Sequence, residues 1–370
     1  MRVIPQVQPF YAVKCNPEPV LLQTLCNRMV DFDCASLQEV YAVKKLYWAR
    51  EDKPSKILYA HPLKSERDIR TINEMGICGT VVDSVEEIKK LEKCGWKGVT
   101  LVRVAVGDKG SKMPFSTKFG ATASEIEEIC RTTKVPIIGA SFHVGSGCQD
   151  VTQYTDAMKY VAQDIFSILK KYNHKTRILD IGGGFAAEQD SFQSAAAAIR
   201  NGLDFVAHST RVIAEPGRYF AQPSQDLFVK AIAKKPARHG GWRYVLDESL
   251  YGQFSCIPFD HQKPGWIRVR GKNEPVREKE DGILFGRTCD SLDVIAKGKM
   301  ERLEVGDWLW FPLMGAYTSA TASEFNGFPK PDVLVDHEKC LPDIFSAVEA
   351  VKLALKDSDI QFSHSVKSLL

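Results

Sequence analysis

No apolar stretch in these 370 residues approaches the roughly 18–20 needed to cross a bilayer. No run of Lys or Arg marks a face for nucleic acid or membrane, and a net charge of +3 is close to neutral for this length. Neither class of partner is therefore expected. The opening MRVIPQVQPF is too short and polar for a secretory leader. Ten cysteines are present without a single C-x-x-C, so neither a zinc ribbon nor a disulfide scaffold is indicated. Reduced thiols in a cytoplasmic enzyme are the expectation. Low-complexity tracts are missing too, and the only internal repeat is a βα unit.

What remains is an ordinary globular composition, 44% hydrophobic and 26% charged. Its length suits two domains, or one large barrel with an appendage. Eight strand-like runs alternate with helical segments over the first part: PFYAVKC, VDFDCAS, KILYAH, GTVVDS, VTLVRVAV, PIIGASFHVG, RILDIGGGF and RVIAEPGRYF. Between them, segments such as SLQEVYAVKKLYW and SVEEIKKLEKCG place apolar residues at helical spacing. Eight strands with crossovers close a (β/α)8 barrel, although an open doubly wound sheet gives the same alternation.

From about Leu227 the helical period fades. Short runs follow (LFVKAIAK, YVLDESLYG, WIRVR, GILFG, DWLWFP), the pattern of an antiparallel β domain. The division is therefore expected at residues 1–226 and 227–370. QKPGWIRVRGKNEPVREKEDG reads as an exposed, mobile excursion within the second part, and GDKGSKMPFSTK as a long loop over one end of the barrel. PDIFSAVEAVKLALKDSD reads as a final helix.

Barrel chemistry gathers at the C-terminal ends of strands. Those ends carry Lys14, Asp33, His61, Asp83, Arg103, His143 with Ser146, Asp180 with Gly182, Gly183 and Gly184, and Glu215 with Arg218. Each motif alone has a plain alternative. The glycine triplet also suits a tight turn, AEPGRY a salt-bridged turn, and a lone strand-end histidine a hydrogen-bonded core. Together a lysine amine, an anion cradle, a guanidinium and a carboxylate in one barrel mouth suit pyridoxal 5′-phosphate. Its aldehyde takes a lysine, its phosphate takes N–H donors, and its ring nitrogen takes a charged partner. Lys14 is then the covalent anchor.

PFYAVKCN, DFDCAS, KFGA, SFHVGSG, LDIGGGF, AEPGRY, GRTCDSLD, GDWLWFPLMGAY and FNGF run in an order that resembles the eukaryotic ornithine decarboxylase family. Its members are alanine-racemase-like enzymes, a barrel followed by a β domain, working as homodimers with shared active sites. The family also carries a segment ahead of the FYAVK strand that is missing here, so a truncated, renumbered or disordered N-terminus is expected. The resemblance implies that Glu215 pairs with the pyridine nitrogen and His143 stacks on the ring. It assigns Ser146, Gly184, Gly217, Arg218 and Tyr317 to the phosphate, and Asp33, Glu39 and Arg103 to the cofactor pocket. Tyr251 lines the active-site wall. Asp260 and Asp290 take the distal ammonium of L-ornithine, and Cys289 protonates Cα to give putrescine, the last two residues coming from the other subunit. A thiol suits that task, being protonated at neutral pH yet readily ionised. Lys118 and Asp293 bridge the dimer, and antizyme enters as a further candidate partner.

Two positions depart from the family pattern near the distal-amine end: Arg287 where proline is common, and Phe259 where tyrosine is usual. The C-terminal tail has no acidic, Pro/Ser-rich degradation segment. Two rival readings follow from the same resemblance. One is a decarboxylase of lysine or arginine. The other is a non-catalytic regulator like the antizyme inhibitors, which have lost cofactor and substrate contacts that survive here.

Overall fold

The computed structural model describes residues 3–47, 56–107, 110–113, 117–238, 240–271 and 274–335. The final helix expected from PDIFSAVEAVKLALKDSD lies outside them. Contacts divide the chain into two compact units, Met1–Phe220 and Ala221–Leu370.

In the first unit, β1 (Val7–Ala12), β2 (Asp31–Cys34), β3 (Ile57–Tyr59), β4 (Gly79–Val82) and β5 (Val99–Arg103) run in chain order. A ribbon strand β6 (Ser111–Met113) precedes β7 (Ile137–Ser141), and a second, β8 (Ser146–Cys148), precedes β9 (Ile178–Asp180) and β10 (Arg211–Ala214). Eight of these close into a barrel in the order β1-β10-β9-β7-β5-β4-β3-β2, with every pairing parallel. The open-sheet alternative is excluded. Strands buried on both faces explain the near-continuous apolar runs. β2, β3 and β4 are buried throughout, and Phe10, Leu58, Ala60, Val81, Leu101 and Ile213 pack as one cluster.

Crossover helices start where the sequence supplies caps. Ser65 and Asp68 form a capping box on the helix Glu66–Glu74, as do Thr122 and Glu125 on Ala123–Thr132. GDKGSKMPFSTK is not all loop, because its Ser111–Met113 pairs as β6 with β8.

The second unit holds one sheet, built from β11 (Leu227–Pro236), β12 (Trp242–Leu246), β13 (Ile267–Arg268), β14 (Lys279–Phe285), β15 (Val294–Glu301) and β16 (Trp308–Phe311), in the order β13-β16-β11-β12-β14-β15. It is not purely antiparallel: β12 and β14 pair in parallel. Part of the expected excursion is anchored by ion pairs. Arg268 is 1% exposed and donates to Glu301 at 2.8 and 3.0 Å, and to Glu274. Arg277 then joins Glu274 at 2.9 Å and Asp307 at 2.6 Å. Charges that read as solvated are partners, and their mutual satisfaction keeps this stretch folded.

Candidate active site

Barrel register sets the first row of functional groups. Arg103 pairs with Ser141, Ser141 with Asp180, and Asp180 with Ile213, while Asp33 pairs with Ala12. Lys14 follows in a single 3-10 turn, Val13–Cys15, beyond β1. That turn is held against the AEPG segment: the Ala12 N–H donates to the Pro216 carbonyl, and a Cβ at Gly217 would stand 3.0 Å from Cys15 Cβ. A side chain at 217 would press on Cys15, so glycine suits this close approach.

The Lys14 ammonium reaches the Asp33 carboxylate at 3.7 Å. Burial alone lowers the lysine pKa, but Asp33 and Glu215 outweigh it and hold it above the usual range. Burial followed by the nearby Glu215 pushes Asp33 up to about 7. Glu215 is driven well above a normal carboxylate, first by burial and then by Asp180 beside it. Burial also lifts Asp180 to about 7, although its Oδ1 accepts the Gly182 N–H at 2.9 Å. Glu39 reaches about 7 for the same first reason, while its carboxylate caps the Ala35 N–H at 2.6 Å. This is a crowded nest of carboxyls around one amine.

His143 stands beside them. Its Nδ1 accepts the Gly145 N–H at 2.9 Å, which places the ring proton on Nε2. Burial, then Arg103 and Lys14, hold its pKa well below normal, so the imidazole is neutral. The glycine triplet packs directly beneath. A Cβ at Gly183 would lie 2.7 Å from the Glu215 carbonyl and 2.9 Å from His143 Nε2. Gly182 and Gly184 have φ of +65° and +103°. Left-handed glycines flanking a third residue shape backbone N–H groups into an anion-binding nest. The fully buried Tyr154 fixes the loop by donating to the Gly183 carbonyl at 2.8 Å.

Pyridoxal 5′-phosphate fits this mouth. Both Asp33 oxygens are buried without a hydrogen-bond donor, Lys14 keeps 45% of its side chain exposed, and the nest supplies anion donors. Ser146 lies in β8 opposite Met113, and Arg218 opens the short helix Arg218–Ala221. Arg103 lies over the Phe119 ring at 4.9 Å, as Lys118 does at 5.0 Å, and His61 meets the same ring edge-on. Asp83 accepts the Gly120 N–H at 3.0 Å, a support for the turn that carries Phe119.

The remaining candidates lie in the second unit. Tyr251 donates its hydroxyl to Asp290, which also accepts the Leu292 N–H at 2.9 Å, and the two donors hold the Asp290 pKa below normal. Asp260 ends the helix Cys256–Asp260 and accepts from Gln262, while Phe259 beside it is 61% exposed. The Cys289 thiol is exposed. Asp293 is fully buried and collects the Leu250 N–H at 2.8 Å, the Thr288 N–H at 3.1 Å and the Thr288 hydroxyl at 2.6 Å. Tyr317 has φ of +55°, a costly conformation for an aromatic residue.

Three contributors escaped the sequence reading. Tyr154 lies within the helix Thr152–Tyr160, and no motif marks it. Lys64, 4% exposed, donates to three backbone carbonyls and approaches Glu87 at 3.6 Å, tying the end of β3 to β4. Asn326, inside the FNGF motif, accepts the Cys289 N–H at 2.9 Å. Only the motif itself signalled the last of these.

Residues 1–222 match the family described as the pyridoxal binding domain of pyridoxal-dependent decarboxylases. The ornithine decarboxylase of Caenorhabditis elegans is 36% identical over 352 residues, covering 89% of this chain and 82% of that protein. Antizyme inhibitor 2 of Xenopus laevis is 36% identical over 354 residues, 90% of this chain and 76% of that protein. The arginine decarboxylase of Paramecium bursaria Chlorella virus, solved bound to agmatine, superposes with a TM-score of 0.83 at 34% identity, covering 88% of each chain. Among the described residues no helix is long and apolar enough to cross a membrane.

Proposed function

Because the chain belongs to the pyridoxal-dependent decarboxylases of basic amino acids, with pyridoxal 5′-phosphate as cofactor, we propose that it converts L-ornithine to putrescine and CO2. The observation that carries this reading is the Lys14 amine held 3.7 Å from Asp33 in the barrel mouth, beside Glu215 and a neutral His143. When bound, the cofactor supplies a carbonyl carbon for primary amines and a ring that accepts the electron pair left by departing CO2.

The chain's own residues do the rest. Lys14 is the anchor, and it must shed a proton before it can attack carbon. Asp33, pushed up to about 7, is an acceptor matched to neutral pH. Glu215 would pair with the ring nitrogen, and a protonated ring there would supply the positive charge that this buried carboxyl, crowded by Asp180, lacks. His143 would pack against the ring face, its imidazole held neutral by burial and by Arg103 and Lys14. Gly183, Gly184 and Gly217 would offer backbone N–H groups to the phosphate, with Ser146, Arg218 and Tyr317, while Gly182, its N–H given to Asp180, shapes the turn. Glu39 and Arg103 border the pocket.

On the substrate side, Asp260 and Asp290 are assigned to the distal ammonium, each charged hydrogen bond being worth about 1.5–3 kcal/mol. Tyr251 orients Asp290, and Phe259 covers the same end. Cys289 delivers its thiol proton to the carbon that lost the carboxylate. We further propose a homodimer with shared sites, bridged through Lys118 and Asp293, with antizyme as a candidate partner.

Release of ¹⁴CO2 from carboxyl-labelled ornithine, lysine and arginine, with and without added cofactor, tests the assignment. Clear preference for arginine would overturn the ornithine reading. The similarity to antizyme inhibitor 2 favours a second reading, a non-catalytic regulator. Cofactor-loaded protein that releases no CO2 from any of the three would select it.

A further inference from the structure

The loop that carries Cys289 and Asp290, residues 286–293, is fixed firmly at its base. Its Gly286 N–H donates to the Asp293 carbonyl at 2.8 Å, and the Asp293 carboxylate collects Thr288. The outward end is held differently, by a second segment. The Cys289 N–H ends on Asn326 Oδ1 at 2.9 Å, and Tyr251, which holds Asp290, stacks on Phe325 with ring centroids 4.3 Å apart.

That second segment is a tight turn with two left-handed residues, Asn326 at φ +58° and Gly327 at +74°. Such a conformation persists in a non-glycine residue only where neighbours over-determine it. Arg287 provides the constraint. Its guanidinium lies over the Phe328 ring at 4.6 Å and donates to the Pro329 carbonyl at 2.9 Å, while its backbone N–H reaches the Glu248 carbonyl at 3.2 Å. One residue thus grips the 325–329 turn from the loop and anchors the loop to the strand-end segment behind it. Proline, the residue expected at 287 from the resemblance, has no N–H for Glu248 and no guanidinium for the turn.

We infer that Arg287 is a positioning residue: by clamping Phe328 and Pro329 it seats Asn326 on the Cys289 N–H, and so aims the thiol. The importance of this aim rests on the proposed proton delivery by Cys289, but the clamp itself can be read independently.

The experiment is alkylation of the cofactor-loaded protein by iodoacetamide, followed residue by residue with mass spectrometry. Cys78, the other exposed cysteine among the described residues, serves as internal reference. Loss of a charged hydrogen bond and a cation–π contact should make Cys289 in Arg287→Ala react differently from the parent by about tenfold. Arg287→Lys should restore most of the parent rate, because an ammonium keeps the ring contact and a donor. Asn326→Gly, which tolerates the positive φ and removes only the side-chain amide, should shift Cys289 by a similar factor. The double variant should then add little, since both changes break one linkage.

An unchanged Cys289 rate in Arg287→Ala, or fully additive effects, would overturn the clamp. Accelerated labelling of the buried Cys256 would do the same, since it would reveal general loosening. If Cys289→Ala released CO2 and formed putrescine normally, the thiol's proposed role would fall, while the labelling series would still decide the clamp.

Discussion

Asp33 presents two buried carboxylate oxygens to the Lys14 amine and receives no hydrogen bond on either. A buried carboxylate in that condition is costly, and the cost is offset only in part by a lysine that stays 45% exposed. The amine is therefore both held and reachable, as a covalent anchor must be.

The first expectation concerns that amine. Borohydride reduction of the loaded protein should leave a pyridoxyl group on the peptide containing Lys14, and Lys14→Ala should lose the bound-cofactor absorbance. A tag on any other lysine would remove the basis of the assignment.

Gly183 offers a steric test. A methyl group there meets the Glu215 carbonyl and His143 Nε2, both inside 3.0 Å. Overpacking of this kind costs about 1–3 kcal/mol. Gly183→Ala should fold and yet retain cofactor about tenfold less well, read by equilibrium dialysis. Undiminished retention would show that the loop can yield without cost.

The carboxyl cluster predicts an unusual pH dependence for the cofactor-free protein. Asp33 and Asp180 rise from an ordinary 3.8, and Glu39 from 4.5, each to about 7, and Glu215 lies well above its usual range. Between roughly pH 4 and 7 the folded state therefore binds more protons than the unfolded chain at these sites, so their contribution to stability falls as pH rises. His143 and His61, both lowered from 6.5, oppose this below that pH. Four carboxyls against two imidazoles leave a net fall. Urea midpoints of the cofactor-free protein should decrease from pH 5 to 7. A steady rise across that range would contradict the cluster's protonation.

Arg268 is the corresponding test for the second unit. Arg268→Met takes the cation from Glu301 and one of two from Glu274, which keeps Arg277 at 2.9 Å, and should cost about 3 kcal/mol, the low end for a broken buried pair. Loss of less than 1 kcal/mol in a denaturant titration would mean that the network is ornamental.

For the mixed-subunit proposal, combining Lys14→Ala with Cys289→Ala chains should recover measurable decarboxylation, since one hybrid site would carry both intact residues. No recovery after demonstrated subunit exchange would refute shared sites.

The barrel was legible because its physics is local. Strands buried on both faces write themselves as apolar runs such as ILY and GTVV, and each run ends where a polar group must exit. Lys14, Asp33, Arg103, His143, Asp180 and Glu215 could be placed at one end of the barrel from that pattern alone. Where pairing is distant, the signal was lost. Arg268 finds Glu301 across 33 residues, and Asn326 finds Cys289 across 37. Lys64 in HPLKSE reads as a solvated loop lysine, because nothing adjacent in sequence announces the three carbonyls that surround it. The parallel pairing of β12 with β14 was likewise hidden, since strand direction depends on the excursion between them.

A closed barrel has no rim to extend, whereas the six-stranded sheet has two. At one lies β13, only Ile267–Arg268, too short to template another chain. At the other, β15 slips register against β14 between Val294 and Ala296 and exposes Lys297 and Lys299. Short length, a bulge and outward charge are devices that discourage strand-to-strand annexation. Among the described residues, growth of this sheet by a further strand is therefore discouraged at both rims.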